Sequence, residues 1–173
     1  MYNENNYITL NKNEAVKFGG NASDVSWINF NISGLVKASG SIQSLVNDQA
    51  TSLGIDADGN NIWLTDEKGN IIHSNIESSP FSITFTNCSG LLTAPELPAI
   101  NVNMDNYNNM FEGCTNLNYI KVGFTSWTYG GANGYYNWVK GVSPSGTFVC
   151  PVELDITPSG DNYIPSGWTI DTY

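Results

Sequence analysis

The stretch that decides the fold occurs twice, as FTNCSGL at residues 85–91 and as FEGCTNL at residues 111–117. In both copies, a phenylalanine, a cysteine, a hydroxyl residue and a leucine hold the same places. The 26-residue shift between 85 and 111 is typical of a solenoid rung of about 20 to 29 residues, in which equivalent apolar side chains stack. The sequence therefore predicts two stacked rungs, with Leu91 and Leu117 as equivalent core residues.

Two rungs are too few to stand alone, because a solenoid usually needs at least about three repeats. The 173 residues fit one domain of roughly 100 to 200 residues, so we expect the flanking segments to close the stack. The predicted organisation is a β-rich N-terminal region over residues 1–79, followed over residues 80–173 by a leucine-rich-repeat-like segment with an aromatic and glycine-rich C-terminal cap. The predicted fold class is mainly β with short helices (α+β), around one continuous core.

Short runs rich in Val, Ile, Phe, Trp and Thr, separated by Asn, Asp and Gly, predict strands in the first half of the chain. These strands are expected at residues 7–10, 15–18, 27–33, 35–38, 61–65 and 70–74. The intervening residues 66–69, Asp-Glu-Lys-Gly, predict a hairpin turn. Helices are expected only at residues 41–46 and 135–142, with Gly141 and Pro144 ending the second one.

The composition excludes several classes of partner. Only 13% of the residues are charged, and the formal net charge of −10 argues against binding to duplex DNA. All 6 basic residues are lysines, so the chain has no guanidinium group to bind a phosphate or a carboxylate through two hydrogen bonds. The apolar runs are only a few residues long, so we expect no membrane insertion. The first six residues, MYNENN, have neither a basic flank nor an apolar core, so no secretory signal is expected.

No catalytic constellation stands out. His73 is the only histidine, and it is interpreted as a strand residue because no Gly-x-Ser-x-Gly elbow or other nucleophile accompanies it. The 16 acidic residues offer many carboxylate pairs, but linear spacing singles none out for glycoside hydrolysis. We therefore expect a non-enzymatic protein with no catalytic residue and no cofactor.

Two further features each have a structural and a chemical interpretation. Cys88 and Cys114 hold equivalent places in the repeat, where buried thiols are expected and a disulfide between stacked rungs is the alternative. The carboxylates of Asp56, Asp58 and Glu67 resemble part of a calcium loop, but Gly59 comes two positions early for an EF-hand. An ordinary turn without metal is therefore expected, with a structural calcium as the alternative.

The segment 124–138 contains six aromatic residues among fifteen, interspersed with glycines. Flat rings beside amide side chains can bind neutral sugars, and they can equally close the open end of a short solenoid or bury themselves against another subunit. The candidate glycan or partner contacts are Trp127, Tyr129, Tyr135, Tyr136 and Trp138. We expect Trp127 and Trp138 to be largely buried.

The wording of the repeat, NCSGLLTAPELPA at residues 87–99 and MFEGCTNL at residues 110–117, resembles the BspA-like short leucine-rich-repeat family of gut bacteria and their tailed phages. Rungs of that family read close to Met-Phe-x-Gly-Cys-Thr-x-Leu followed by Ala-Pro-x-Leu-Pro-Ala. Segments outside the repeats look similar to flanking segments of these proteins. They lie at residues 30–34, 37–40, 138–142, 146–148 and 164–169.

The resemblance implies adhesion or virion surface structure rather than catalysis. The two rungs and the absence of a signal-like start favour a structural and interaction protein of a bacteriophage virion, as a capsid decoration, auxiliary capsid or fibre component on the virion surface. Its expected partners are other virion proteins or copies of itself, with host-surface glycans as a further class. The alternative is a carbohydrate-binding surface adhesin module.

Overall fold

The computed structural model describes residues 8–18, 28–45, 52–55, 62–65, 71–73, 81–98, 107–127 and 134–173. Over these residues the protein is strand-dominated, which confirms that part of the predicted fold class. The only helix in them is a short 3-10 helix at Ile42–Leu45. The strands are β1 (Val36–Lys37), β2 (Ser52–Ile55), β3 (Ile62–Thr65), β4 (Ile71–His73), β5 (Leu91–Thr93), β6 (Tyr119–Lys121), β7 (Thr147–Cys150) and β8 (Thr169–Thr172).

Five of these strands form one parallel sheet in the order β1-β5-β6-β7-β8. One row of the sheet runs through Thr93, Tyr119, Thr147 and Thr169, so successive strands are 26, 28 and 22 residues apart in the chain. Each strand and the segment before it therefore form one rung. We number the rungs one to five, at residues 28–45, 81–98, 107–127, 134–150 and 151–173.

The remaining three strands form a separate antiparallel sheet, in the order β2-β3-β4. β3 and β4 match the predicted strands at 61–65 and 70–74, and their antiparallel pairing agrees with a hairpin; the predicted turn at 66–69 lies outside the described residues. The prediction missed β2, in which Ser52 and Gly54 weaken the strand pattern. This sheet lies in the chain between β1 and β5, within the sequence that joins the first two rungs.

Three predicted strands are wrong. Residues 8–10, 15–18 and 28–33 contain no strand where the structure describes them. In the last of these segments, the Phe30 N–H donates to the Thr84 oxygen and the Gly90 N–H donates to the Ile32 oxygen. The segment thus contacts the second rung through isolated hydrogen bonds, without forming a continuous ladder.

A second set of backbone hydrogen bonds joins the segments that precede the strands. The Phe85 N–H donates to the Met110 oxygen at 3.0 Å, and the Phe111 N–H donates to the Trp138 oxygen at 2.8 Å. The Gly113 N–H likewise donates to the Lys140 oxygen at 2.8 Å. Neighbouring rungs are therefore hydrogen bonded both in the sheet and before it.

The predicted helix at 135–142 is wrong, because this segment is a succession of turns. Asn137 and Gly141 have φ values of 51° and 73°, in the left-handed region that no right-handed helix can contain. Left-handed residues occur at the same two places in the preceding rungs, at Asn109 and Gly113 and at Ile83 and Asn87. The segment that was predicted as a helical cap is therefore the fourth rung of the same stack.

The division of the chain at residue 79 remains a prediction. β1, which belongs to the predicted N-terminal region, pairs with β5 of the repeat segment. The predicted C-terminal cap contributes β7 and β8 to the same sheet. The parallel sheet thus draws strands from both predicted regions.

Aromatic rings stack along the axis of the core. Phe30, Phe85 and Phe111, one from each of the first three rungs, have centroids 5.3 and 5.6 Å apart and interplanar angles of 12° and 14°. We call these three the phenylalanine column. Leu91 and Leu117, the predicted equivalent core residues, are both fully buried.

Glycine is required where the rungs approach most closely. A Cβ on Gly90 would overlap the backbone carbonyl oxygen of Gly34, whereas a Cβ on Gly34 would meet no atom within 4 Å. The same contact between two rungs thus contains one glycine that cannot carry a side chain and one that can.

We therefore expect Gly90→Ala to lower the free energy of unfolding by about 1 to 3 kcal/mol, because the rungs must move apart to admit the methyl group. Gly34→Ala, the matched control, should change it by less than about 0.5 kcal/mol. Urea unfolding of the two variants measures the difference. Equal effects would contradict the close approach of the first two rungs.

Candidate functional site

Seven aromatic rings form one cluster that joins the third, fourth and fifth rungs. Their centroids are separated by 5.0 to 6.4 Å from one ring to the next, mostly in tilted or edge-to-face arrangements, which aromatic pairs favour. The members of this aromatic cluster are Tyr107, Phe124, Trp127, Tyr135, Trp138, Phe148 and Tyr163.

Three indole groups join different rungs of the stack. The Trp138 Nε1–H of the fourth rung donates to the backbone carbonyl oxygen of Tyr163 in the fifth rung at 2.9 Å. The Trp168 Nε1–H of the fifth rung donates back to the Ser143 oxygen of the fourth at 2.8 Å. The Trp127 Nε1–H donates to the backbone carbonyl oxygen of Asp155 at 2.7 Å. These tryptophans therefore satisfy backbone carbonyls as well as filling the core.

The predicted aromatic contacts separate into two groups in the structure. Trp138 is 0% exposed and Tyr135 is 4% exposed, so Trp138 agrees with the expected burial. Trp127 is half-buried, with its ring 5.1 Å from that of Tyr135. Tyr136 is 49% exposed, and Tyr129 lies outside the described residues. The structure thus brings Trp127, Tyr135 and Trp138 together as packing residues and leaves Tyr136 facing solvent.

Burial suppresses the ionisation of Tyr107 and Tyr135, two of the three tyrosines in this cluster. Desolvation raises the pKa of Tyr107 and the pKa of Tyr135 above the ordinary tyrosine value. For Tyr135, repulsion from the Tyr107 phenolate adds to the effect. Both hydroxyls therefore remain protonated at neutral pH, as expected of packing residues.

The three cysteines are free and buried, which confirms the expected thiols and excludes the alternative of a disulfide between rungs in this structure. The Cys88 thiol donates to the Phe30 oxygen at 3.0 Å, and the Cys114 thiol donates to the Phe85 oxygen at 3.0 Å. Each thiol thus bonds to the preceding rung at the phenylalanine column.

Burial also makes these thiols weak nucleophiles. Desolvation, with a smaller contribution from Cys88, raises the pKa of Cys114 from 9.0 to about 12. Desolvation also raises the pKa of Cys88 and the pKa of Cys150. At neutral pH all three groups are therefore thiols, and the thiolate that nucleophilic chemistry requires is scarce.

The other chemical candidates have different outcomes. His73 ends β4, which confirms its interpretation as a strand residue. Asp56, Asp58 and Glu67 lie outside the described residues, so the choice between a plain turn and a calcium loop stays a prediction. Within the described segments, no group of three or more His, Cys, Asp and Glu side chains is placed to hold a metal ion.

Sequence reasoning missed the uneven distribution of exposed apolar side chains. Of the ten large hydrophobic residues that are exposed in the described parts, five lie in segment 8–18 or on the first rung, four lie on the fifth rung and Tyr136 lies on an inner rung. The first five are Ile8, Leu10, Val16, Phe18 and Leu35, and the four on the fifth rung are Val152, Ile156, Tyr163 and Tyr173.

Phe18, the last described residue of segment 8–18, contacts the phenylalanine column. Its ring lies 5.2 Å from that of Phe30, at an interplanar angle of 64°. Phe18 remains 44% exposed in this position. The column therefore reaches the surface at the first rung.

Charge also distinguishes the fifth rung, and this feature is visible in the sequence. No basic residue follows Lys140, whereas four acidic residues do: Glu153, Asp155, Asp161 and Asp171. All four are exposed. Counting the charges segment by segment, instead of summing them over the whole chain, would have identified this surface.

The buried thiols and phenols predict a loss of stability at alkaline pH. Since the pKa of folded Cys114 lies near 12 and its ordinary value is 9.0, the unfolded chain releases this proton first as pH rises. The stability is fully present below pH 9 and declines between pH 9 and pH 12. Thermal unfolding of the wild type and of Cys114→Ala across this interval should show a shallower decline in the variant. Identical slopes would contradict the burial of this thiol.

The aromatic cluster predicts opposite outcomes for two residues of the same turn. Trp138→Ala should cost about 3 to 5 kcal/mol, because it empties the core and leaves the Tyr163 carbonyl without the indole donor. Tyr136→Ala should cost less than about 0.5 kcal/mol, because Tyr136 is 49% exposed and is not a member of the aromatic cluster. Urea unfolding measures both. A small cost at Trp138 would show that the cluster is not a packing element.

Comparison of the chain with family models, with curated proteins and with solved structures finds no match. Among the described residues, no helix has the length and apolar character needed to span a membrane.

Proposed function

We propose that this protein is a non-catalytic structural and interaction protein of a bacteriophage particle, exposed as a decoration, auxiliary capsid or fibre component. The observation that carries the proposal is the use made of its aromatic segment. Trp138 and Tyr135 are buried between rungs, and the indoles of Trp127, Trp138 and Trp168 donate hydrogen bonds to backbone carbonyls of other rungs. The residues that could have formed a binding platform instead stabilise a scaffold.

The finer fold assignment belongs to the same proposal. We infer that the rungs are of the short leucine-rich-repeat type. The repeated phenylalanine, cysteine and leucine of the second and third rungs are all buried, and Phe85 stacks on Phe111. The wording of these rungs also supports the phage assignment, because the BspA-like family that it resembles includes proteins of tailed phages.

A carbohydrate-binding adhesin module is the second candidate, and one observation favours it. Tyr136 and Tyr163 are 49% and 39% exposed. The backbone of Asn137 donates to Asn162 Oδ1 at 2.7 Å, so these tyrosines belong to directly hydrogen-bonded segments. Exposed rings beside amide groups are the chemistry that neutral sugars require.

Quantitative mass spectrometry of gradient-purified particles tests the first candidate, on a phage whose genome encodes this chain. We expect many copies of the chain per particle, in a constant ratio to the major capsid protein, and depletion of phage proteins that serve only replication. A chain that stays in the lysate and is absent from the particles would overturn the proposal.

A glycan array tests the second candidate. If the adhesin alternative holds, the wild type binds a defined set of neutral glycans and Tyr136→Ala loses this binding without a change in its unfolding midpoint. Gly34→Ala serves as the control for the wild type and for Tyr136→Ala, because this substitution is expected to leave the fold unchanged. Equal signals for the wild type and Tyr136→Ala would exclude this ring from recognition.

A further inference from the structure

One residue in the turns of the stack holds a backbone conformation that its side chain opposes. Ile83 has a φ of 57°, in the left-handed region, where a β-branched side chain is an outlier and is destabilising. The equivalent residues of the next two rungs are Asn109 and Asn137, each with a φ of 51°. Asparagine tolerates this conformation because its short polar side chain can hydrogen bond locally. Ile83 therefore occupies a position where an asparagine would be more stable.

Hydrogen bonds hold Ile83 in this conformation. Its N–H donates to the Asn108 oxygen at 3.0 Å, and its carbonyl oxygen accepts the Thr86 N–H at 3.1 Å. The same oxygen accepts a hydrogen bond from Asn29 Nδ2 at 2.7 Å. These are bonds of the Ile83 backbone to the first, second and third rungs. The stack thus imposes the conformation, and the isoleucine side chain is not needed to produce it.

Core packing does not account for the isoleucine either. Ile83 is half-buried, but it is not one of the partly buried apolar residues that pack against the core in the described segments. Backbone strain of this kind is concentrated where a function uses the strained residue, often at a cost in stability. The exposed part of the Ile83 side chain is therefore a candidate for contact with a partner.

The residues around Ile83 form one continuous surface over three rungs. The backbone bonds from Ile83 N–H to the Asn108 oxygen and from Asn109 N–H to the Tyr136 oxygen align them from rung to rung. All of them are at least partly exposed. We call this surface the turn face, and its residues are Ser82, Ile83, Asn108, Asn109, Tyr136 and Asn137.

Tyr136 gives the turn face a second apolar side chain. It is 49% exposed and lies two rungs from Ile83, about 10 Å along the stack at the usual spacing of neighbouring strands. Amide side chains lie between the two. An apolar contact accompanied by polar groups is the usual composition of a protein–protein interface.

The turn face carries no charge of its own, although the chain has a net charge of −10. The nearest charged residues on the same turns, Glu112 and Lys140, pair with each other at 2.9 Å. A partner is therefore selected by apolar contact rather than by charge. A neutral sugar would use the aromatic ring of Tyr136, but it gives no reason to keep an aliphatic residue in a strained conformation, so the strain favours a protein partner.

From these observations we propose that the turn face docks on a neighbouring protein of the phage particle, with Ile83 as the apolar anchor and Tyr136 as a second contact. The partner presents an uncharged, apolar patch. The inference rests on the proposed function and deepens it, because it names the surface by which the chain attaches to the particle.

Thermal unfolding of the full chain tests the strain. Ile83→Asn gives the second rung the residue type of the third and fourth rungs, so it should raise the melting temperature by about 2 to 4 °C. Ile156→Asn is the matched control, since Ile156 is 45% exposed and its φ is not positive; it should not raise the melting temperature. An Ile83→Asn variant that is no more stable than the wild type would overturn the proposal.

Cosedimentation with gradient-purified particles that were assembled without this chain tests the docking. The wild type, Ile156→Asn and Ile83→Val, which keeps a β-branched apolar side chain, should bind these particles alike. Ile83→Asn should bind at least about tenfold more weakly, as expected of an apolar anchor. About 0.5 M salt should leave the binding of the wild type unchanged, because the turn face is uncharged.

The contrary outcomes separate the inference from the proposed function. Equal binding by the wild type and Ile83→Asn, or release of the wild type by salt, would overturn the inference alone. A wild type that does not bind the particles would overturn both. If Ile83→Asn keeps particle binding but loses a neutral glycan that the wild type binds on an array, the turn face binds a sugar and the docking proposal is overturned.

Discussion

The constraint on which the rest of this structure depends is the fixed spacing of backbones that are hydrogen bonded from rung to rung. The spacing is set in the parallel sheet and again in the turns before it, so a rung cannot tilt away from its neighbour on either side. Parallel strands lie about 4.8 Å apart. Phenyl rings at 5.3 and 5.6 Å fit this spacing when nearly parallel, which explains the phenylalanine column.

The same spacing decides where small residues and buried polar atoms are found. Gly90 lies against the Gly34 carbonyl, where no Cβ fits. The thiols of Cys88 and Cys114 each reach a carbonyl of the preceding rung, because a small side chain there leaves its donor within range. The chemistry of these groups is therefore committed to holding the stack together.

The second and third rungs could be predicted because the same sequence pattern occurs in both. The fourth rung could not, since the backbone register places Val139 and Val142 where the third rung has Phe111 and Cys114. The fourth rung keeps the backbone conformation of the third rung but not its pattern of side chains. The sequence from Tyr135 to Val142 therefore appeared helical. The burial of Trp138 was predicted from the need to close the core. The exposed apolar side chains of the first and fifth rungs were not, because the repeated sequence that could be recognised covers only the second and third rungs.

The sheet β2-β3-β4 gives the first rung a special place in the order of assembly. Val36 pairs with Leu91, 55 residues away, whereas the register of the later rungs spans 28 residues or fewer. Loop-closure entropy grows by about 0.6 kcal/mol for each doubling of the loop, and non-local pairings form slowly. We therefore expect folding to start among rungs two to five and to end when the first rung docks. On this expectation, the surface that carries Lys37 and Leu35 forms last.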